Sequence, residues 1–189
     1  MPTLDLTYES KWWLLLPPEF PTMQDADLGA WAERLTQQYT STPPWDTAPF
    51  ASQLPEFLVK QYDAITPERT AALWYCPFGL PAVGYVLITL TERPDGADLG
   101  FEPMVRGLSS RIDFELIPVE TPALGEGVGY SRIRAGDPEG GKPDYAETTY
   151  LFLPGQSLVA VTARSADPAI LGLMGSELWD IVESITIHE

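Results

Sequence analysis

Between Arg69 and Ala163 the chain is cut by proline and glycine into short β-type stretches, while the segments on either side carry helical spacing. Helices near both ends of a chain with a run of strands between them predict an α+β fold: an antiparallel sheet covered by helices. Thr70 to Cys76 and Val83 to Glu92 flank the turn sequence Pro77-Phe78-Gly79-Leu80-Pro81, and Arg93-Pro94-Asp95-Gly96 supplies another turn. Ile112, Phe114 and Leu116 alternate with Asp113 and Glu115, the pattern of a strand with one buried and one wet face. Gly127 to Arg134 and Tyr145 to Leu153 read as a long hairpin around Gly136 to Gly141, and Pro154-Gly155 closes a tighter one with Ser157 to Ala163. Earlier, Leu4 to Leu16 reads as a strand stopped by Pro17-Pro18.

The helical segments are equally distinct. From Asp25 the apolar positions Leu28, Trp31, Leu35 and Tyr39 recur at helical spacing, and Asp25 and Asp27 stand where the positive end of a helix favours acids. A second helix is expected from Pro55 through Phe57, Leu58, Gln61, Tyr62 and Ile65. Asp167 is placed to cap a last helix with Pro168 in its first turn and Ile170, Leu173, Met174, Leu178, Ile181 and Val182 along one face. Ile185-Thr186-Ile187 then reads as a closing edge strand. Ser41 to Pro55 holds four prolines and is expected to be a loop, anchored over the body by Trp45, Phe50 and Leu54. The 189 residues suit one domain spanning positions 1–189, and 44% hydrophobic residues suffice for a core without staples.

Most catalytic dyads, triads and transition-metal sites draw on His or Cys, and this chain has one of each. His188 is penultimate, a poor place to hold a general base. Cys76 lies among Trp74, Tyr75 and Phe78 with no basic neighbour to lower its pKa, which predicts a buried small hydrophobe. Acids are abundant but do not form a constellation: Asp95-Gly96-Ala97-Asp98 lacks the oxygen-ligand spacing of a calcium loop, and Asp25-Ala26-Asp27 is explained by a helix start. Gly125-Glu126-Gly127-Val128-Gly129 carries an acid where a phosphate cradle needs none, so it reads as a tight turn or bulge. No catalytic residue, metal site or cofactor is expected.

The formal net charge of −16 disfavours phosphate backbones and anionic lipid surfaces, so neither nucleic acid nor a membrane is an expected partner. Another protein, one with a basic surface, is favoured. The acidic start and short apolar runs predict neither signal peptide nor membrane span, and with a single cysteine this gives a cytoplasmic expectation. Trp12 and Trp13 are adjacent, and neighbours on a strand point to opposite faces; either both faces are covered or one ring is exposed. Trp13, Trp45 and Phe50 are the candidate partner-binding residues, since exposed aromatic rings anchor interfaces.

The tail from Thr149 to Ile187 runs strand, Pro-Gly turn, strand, amphipathic helix, short strand. With Tyr150-Leu151-Phe152-Leu153-Pro154, Leu158-Val159-Ala160-Val161-Thr162 and Leu178 to Ile185 it resembles the close of PsbP-like domains. That family includes a photosystem subunit, a yeast Ran-release factor and bacterial effector chaperones. The resemblance implies an α/β/α sandwich with a mainly non-catalytic, protein-binding role and no shared catalytic residues. Together these readings predict a protein-binding module such as an adaptor, effector chaperone or immunity-type inhibitor. The rival is a carboxylate-dependent hydrolase or small-ligand binder with a pocket between sheet and helices.

Overall fold

The computed structural model describes residues 2–41, 54–64, 71–77, 84–94, 100–105, 108, 114–136 and 144–188. Among them the chain order is β1 (Thr3–Asp5), β2 (Trp13–Leu15), α1 (Leu28–Ser41), α2 (Leu54–Ala64), β3 (Ala71–Tyr75), β4 (Gly84–Glu92), α3 (Glu102–Val105), β5 (Ile117–Thr121), β6 (Gly125–Arg134), β7 (Tyr145–Phe152), β8 (Ser157–Ser165), α4 (Pro168–Ser184) and β9 (Thr186–His188). Seven strands form an antiparallel sheet in the order β2-β3-β4-β8-β7-β6-β5. The fold is α+β.

Alternation along the central strands sends side chains to two differently covered faces. Val159, Val161 and Ala163 of β8 join Val86 and Ile88 of β4 and Phe152 of β7 under α4, which contributes Met174, Leu178, Ile181 and Val182. On the other face Ala72 and Trp74 pack beneath Trp31, Ala32, Leu35 and Leu58 of α1 and α2. Lower on that second face, Val105 of α3 covers Tyr130 and Leu151. The result is three layers, helix on sheet on helix. At Gly84, where α4 crosses the start of β4, an added Cβ would lie 2.8 Å from Met174 Sδ, so the missing side chain lets the helix approach.

Several expectations need correction. The predicted strand from Leu4 to Leu16 is two strands separated by a turn in which the Glu9 carbonyl accepts from the Trp12 and Trp13 amides. The closing strand starts at Thr186 and pairs with β1 in a separate two-stranded ribbon, while Ile185 ends α4 and is fully buried. The alternation at Phe114 and Leu116 is not yet strand: both residues pack irregularly against the cluster under α3, and β5 begins at Ile117. Leu173 is turned outward at 64% exposure, because five residues before Leu178 places it roughly 140° around the helix. Asp167 caps α4 as expected, accepting from the Ala169 amide at 2.9 Å.

Candidate functional site

The sheet is wider than the helix laid on it. An α-helix is roughly 10 Å across and strands lie about 4.8 Å apart, so α4 can shield only two or three of seven strands. Toward β2 and β3 the shortfall is made up by Leu4, Leu6, Tyr8 and Trp12 of the N-terminal segment. Toward β5 nothing among the described residues performs that task. A groove of about 300 Å³ remains between the flank of α4 and the β5 edge, lined by Ile117, Val119, Gly129, Ser131, Tyr150 and Trp179, among others.

Its floor follows from the cross-strand register. Gly127 faces Phe152 and Gly129 faces Tyr150, and a Cβ would come within 2.5 Å of Phe152 Cδ1 at the first and 2.9 Å of Tyr150 Cε1 at the second. The two rings therefore lie over the glycines. Tyr150 in turn meets Trp179 edge to face at 5.4 Å, the geometry that aromatic quadrupoles favour. Burial raises the pKa of the Tyr150 phenol above the ordinary tyrosine value, because the charged form loses its solvation there. At the far end Ser131 Oγ and Thr148 Oγ1 are 2.8 Å apart. On the outer rim Ile117 is 61% exposed, high for a large aliphatic chain.

The lining contains no carboxylate, His, Cys, Lys or Arg. Hydroxyls without a base beside them are poor nucleophiles at neutral pH. What the groove can do is bind: bury an apolar or aromatic side chain against rings and orient it with a few hydroxyls. Acids stand beside it on the helix instead. Asp180 and Glu183 are exposed on α4, whereas Glu120 and Glu126 of the β5–β6 hairpin alternate to the opposite face of the sheet. The last turn of α4 has no basic residue, so Glu183 there adds to the negative end of the helix.

The opposite face of the same strands is different. Arg132, Glu147 and Arg164 stand in one row across β6, β7 and β8. Glu147, 1% exposed, accepts from Arg132 Nε at 2.8 Å through Oε1 and from Arg164 Nε at 2.8 Å through Oε2. Burial opposes the charge on Arg164, but Glu147, Tyr145 and Tyr85 outweigh it and raise its pKa. Among the described residues no group of His, Cys, Asp and Glu is arranged to hold a metal ion.

Of the sequence candidates, Trp13 must be corrected. It is 2% exposed, 5.1 Å from the Tyr75 ring and part of the core under α4, so it offers no surface to a partner. The opposite-faces argument does not apply to the tryptophan pair, because Trp12 precedes β2 and both rings pack on that one core. Trp45, Phe50 and most of the Ser41 to Pro55 loop lie outside the described residues. Cys76 is buried, and His188 pairs with Asp5 at 3.0 Å at the end of the β1–β9 ribbon. Asp27 accepts from the Ala30 amide at 2.8 Å and starts α1, whereas Asp25 turns inward to Arg34 at 2.8 Å. Hydrogen bonding from Arg34 holds the Asp25 carboxyl below its usual range.

Sequence reasoning missed the groove residues. The usable signal was two glycines at alternate positions of a strand, each opposite an aromatic residue, which marks a floor rather than a turn. Only Gly125, with φ of 74°, serves the turn.

No family model matches the chain, and no curated protein matches it. Among solved structures it is similar to LpqN, involved in cell envelope biogenesis of Mycobacterium tuberculosis, with 16% sequence identity over 100% of this chain and 85% of that one and a TM-score of 0.46. Among the described residues, no helix is long and apolar enough to cross a membrane.

Proposed function

We propose that this protein is a non-enzymatic binding module that takes a segment of another protein in the groove between α4 and β5. One observation carries the reading: an apolar strip of sheet, walled by Trp179 and Tyr150 and rimmed by exposed Ile117, is left without a covering layer among the described residues. A cavity of about 300 Å³ has room for one or two large side chains, not a folded domain. The occupant is therefore an apolar or aromatic residue on an extended segment. Its flanks are basic, because Asp180 and Glu183 are exposed on α4 next to and one turn on from Trp179, in a chain of net charge −16.

Recognition uses the face of β5 and not its edge. Pro118 has no amide to donate and Glu120 puts a charge on the strand, two devices that blunt strand-on-strand pairing. The layering and the order β7, turn, β8, α4 support a PsbP-like reading of the fold, and a single buried cysteine suits a cytoplasmic setting. The hydrolase reading loses support because no acid lines the groove.

The test is selection of binders from a random peptide library displayed on phage. Enriched peptides carry an aromatic or large aliphatic residue flanked by Lys or Arg, and their affinity falls at least about tenfold in Ile117→Asp and in Trp179→Ala, the loss of one buried anchor. Peptides that bind both variants as tightly as the parent would contradict the assignment.

A further inference from the structure

The groove between α4 and β5 has one polar end. Along β6 and β7 the pair Gly129 and Tyr150 is followed, on the same face, by the pair Ser131 and Thr148, and all four residues line the groove. The two pairs lie two residues apart on each strand, roughly 6.8 Å. The Tyr150 ring leans across Gly129 toward β5, since a Cβ on that glycine would lie 2.9 Å from Tyr150 Cε1 and 3.7 Å from Val119 Cγ1. Trp179 meets this ring from α4 at 5.4 Å between centres. β5 begins at Ile117, opposite Gly129, so no β5 residue pairs with Ser131, which is exposed. The apolar part of the groove therefore runs up to the two hydroxyls and stops there.

Ser131 Oγ and Thr148 Oγ1 are 2.8 Å apart, and the bond between them uses one of their two O–H groups. A hydroxyl has one donor and two acceptor lone pairs, so the couple keeps one O–H and several lone pairs for a partner. An aliphatic or phenyl side chain seated in the groove would cover these atoms and strip their water with nothing in return, which costs free energy. A cationic tip fits no better, because no carboxylate lines the groove to receive it. A ring that ends in a neutral hydroxyl meets both demands.

We propose that the groove selects tyrosine: the partner's ring packs between Ile117, Tyr150 and Trp179, and its phenol hydrogen-bonds the Ser131–Thr148 couple. This rests on the groove being the receptor surface and names the side chain it takes. A six-membered ring set beside Tyr150, with its para hydroxyl and one hydrogen bond, spans the interval of roughly 6.8 Å between the two residue pairs. Ser131 and Thr148 are then the residues that decide between tyrosine and phenylalanine.

The experiment titrates isotope-labelled full-length protein with capped Lys-Lys-Xaa-Lys-Lys peptides carrying Tyr, Phe or Leu at Xaa, following the Ile117 and Val119 methyl resonances by NMR. The Tyr peptide should bind about fivefold more tightly than the Phe peptide, the value of one neutral hydrogen bond, and the Leu peptide no better than the Phe one. In Ser131→Ala and in Thr148→Val that preference should vanish, while the Phe peptide binds at least as well as it does to the parent. A Tyr preference that survives in both variants overturns the tyrosine assignment. So does equal affinity for Tyr and Phe in the parent, and if Trp179→Ala still weakens both peptides the groove itself stands. Peptides that give no saturable shift, or that bind Trp179→Ala as tightly as the parent, overturn the groove and this assignment with it.

Discussion

Strands β6 and β7 present two opposed solutions to the same problem. On the α4 side they offer glycine, rings and hydroxyls and are left partly bare; on the other they bury Arg132 and Glu147 in a row that half-buried Arg164 of β8 completes. The bare face costs little to leave open, since its apolar residues are few and the glycines add no side chain. The charged face has no such latitude, because each buried ion depends on its partner. The bare side is where a partner can be added, and the charged side is where the fold is most easily broken.

The largest effect should come from breaking the charged row. Glu147→Ala leaves two guanidiniums without their shared acceptor and should cost about 3–5 kcal/mol, read as a fall in the urea midpoint at unchanged slope. A loss under about 1 kcal/mol would mean that the row is solvated and not structural. On the α4 side, under the core next to the groove, Gly127→Ala should cost about 1–3 kcal/mol, because its Cβ would meet the Leu151 carbonyl oxygen at 2.5 Å and backbone must shift. Gly129→Ala should cost less, since its Cβ meets the edge of the Tyr150 ring, which can move. Equal costs at the two glycines would show that ring placement, not backbone approach, sets the floor. Smallest is Ile117→Asp: at an exposed edge position its stability change should stay near 0.5 kcal/mol or below, roughly the limit for surface substitutions, while peptide binding is lost.

The layered architecture was legible because strand alternation in β4 and β8 and helical spacing in α4 are local patterns with strong periods. The cap at Asp167 was legible for the same reason. What escaped depends on assembly. Whether Trp13 faces a partner or a core is decided by the turn at Glu9, which brings Trp12 and Trp13 onto one hydrophobic cluster. Trp179 reads as one more apolar residue of α4 until the sheet is seen to extend two strands beyond the helix. Glu147 lies between Ala146 and Thr148 in a stretch that reads simply as strand, and only the register of β6 and β8 brings Arg132 and Arg164 to it. Strand order is a non-local property, and both sites are consequences of it.

If the α4-side strip of β5 and β6 receives the partner, a bound peptide must perturb that strip and leave the other face alone. Adding a selected peptide to protein labelled at its methyl and indole groups tests this most directly. Shifts should concentrate on the Ile117 and Val119 methyls and the Trp179 indole, while the Leu14 and Leu87 methyls and the Trp74 indole on the opposite face stay unchanged. Shifts confined to that opposite face, with Trp179 unmoved, would contradict it.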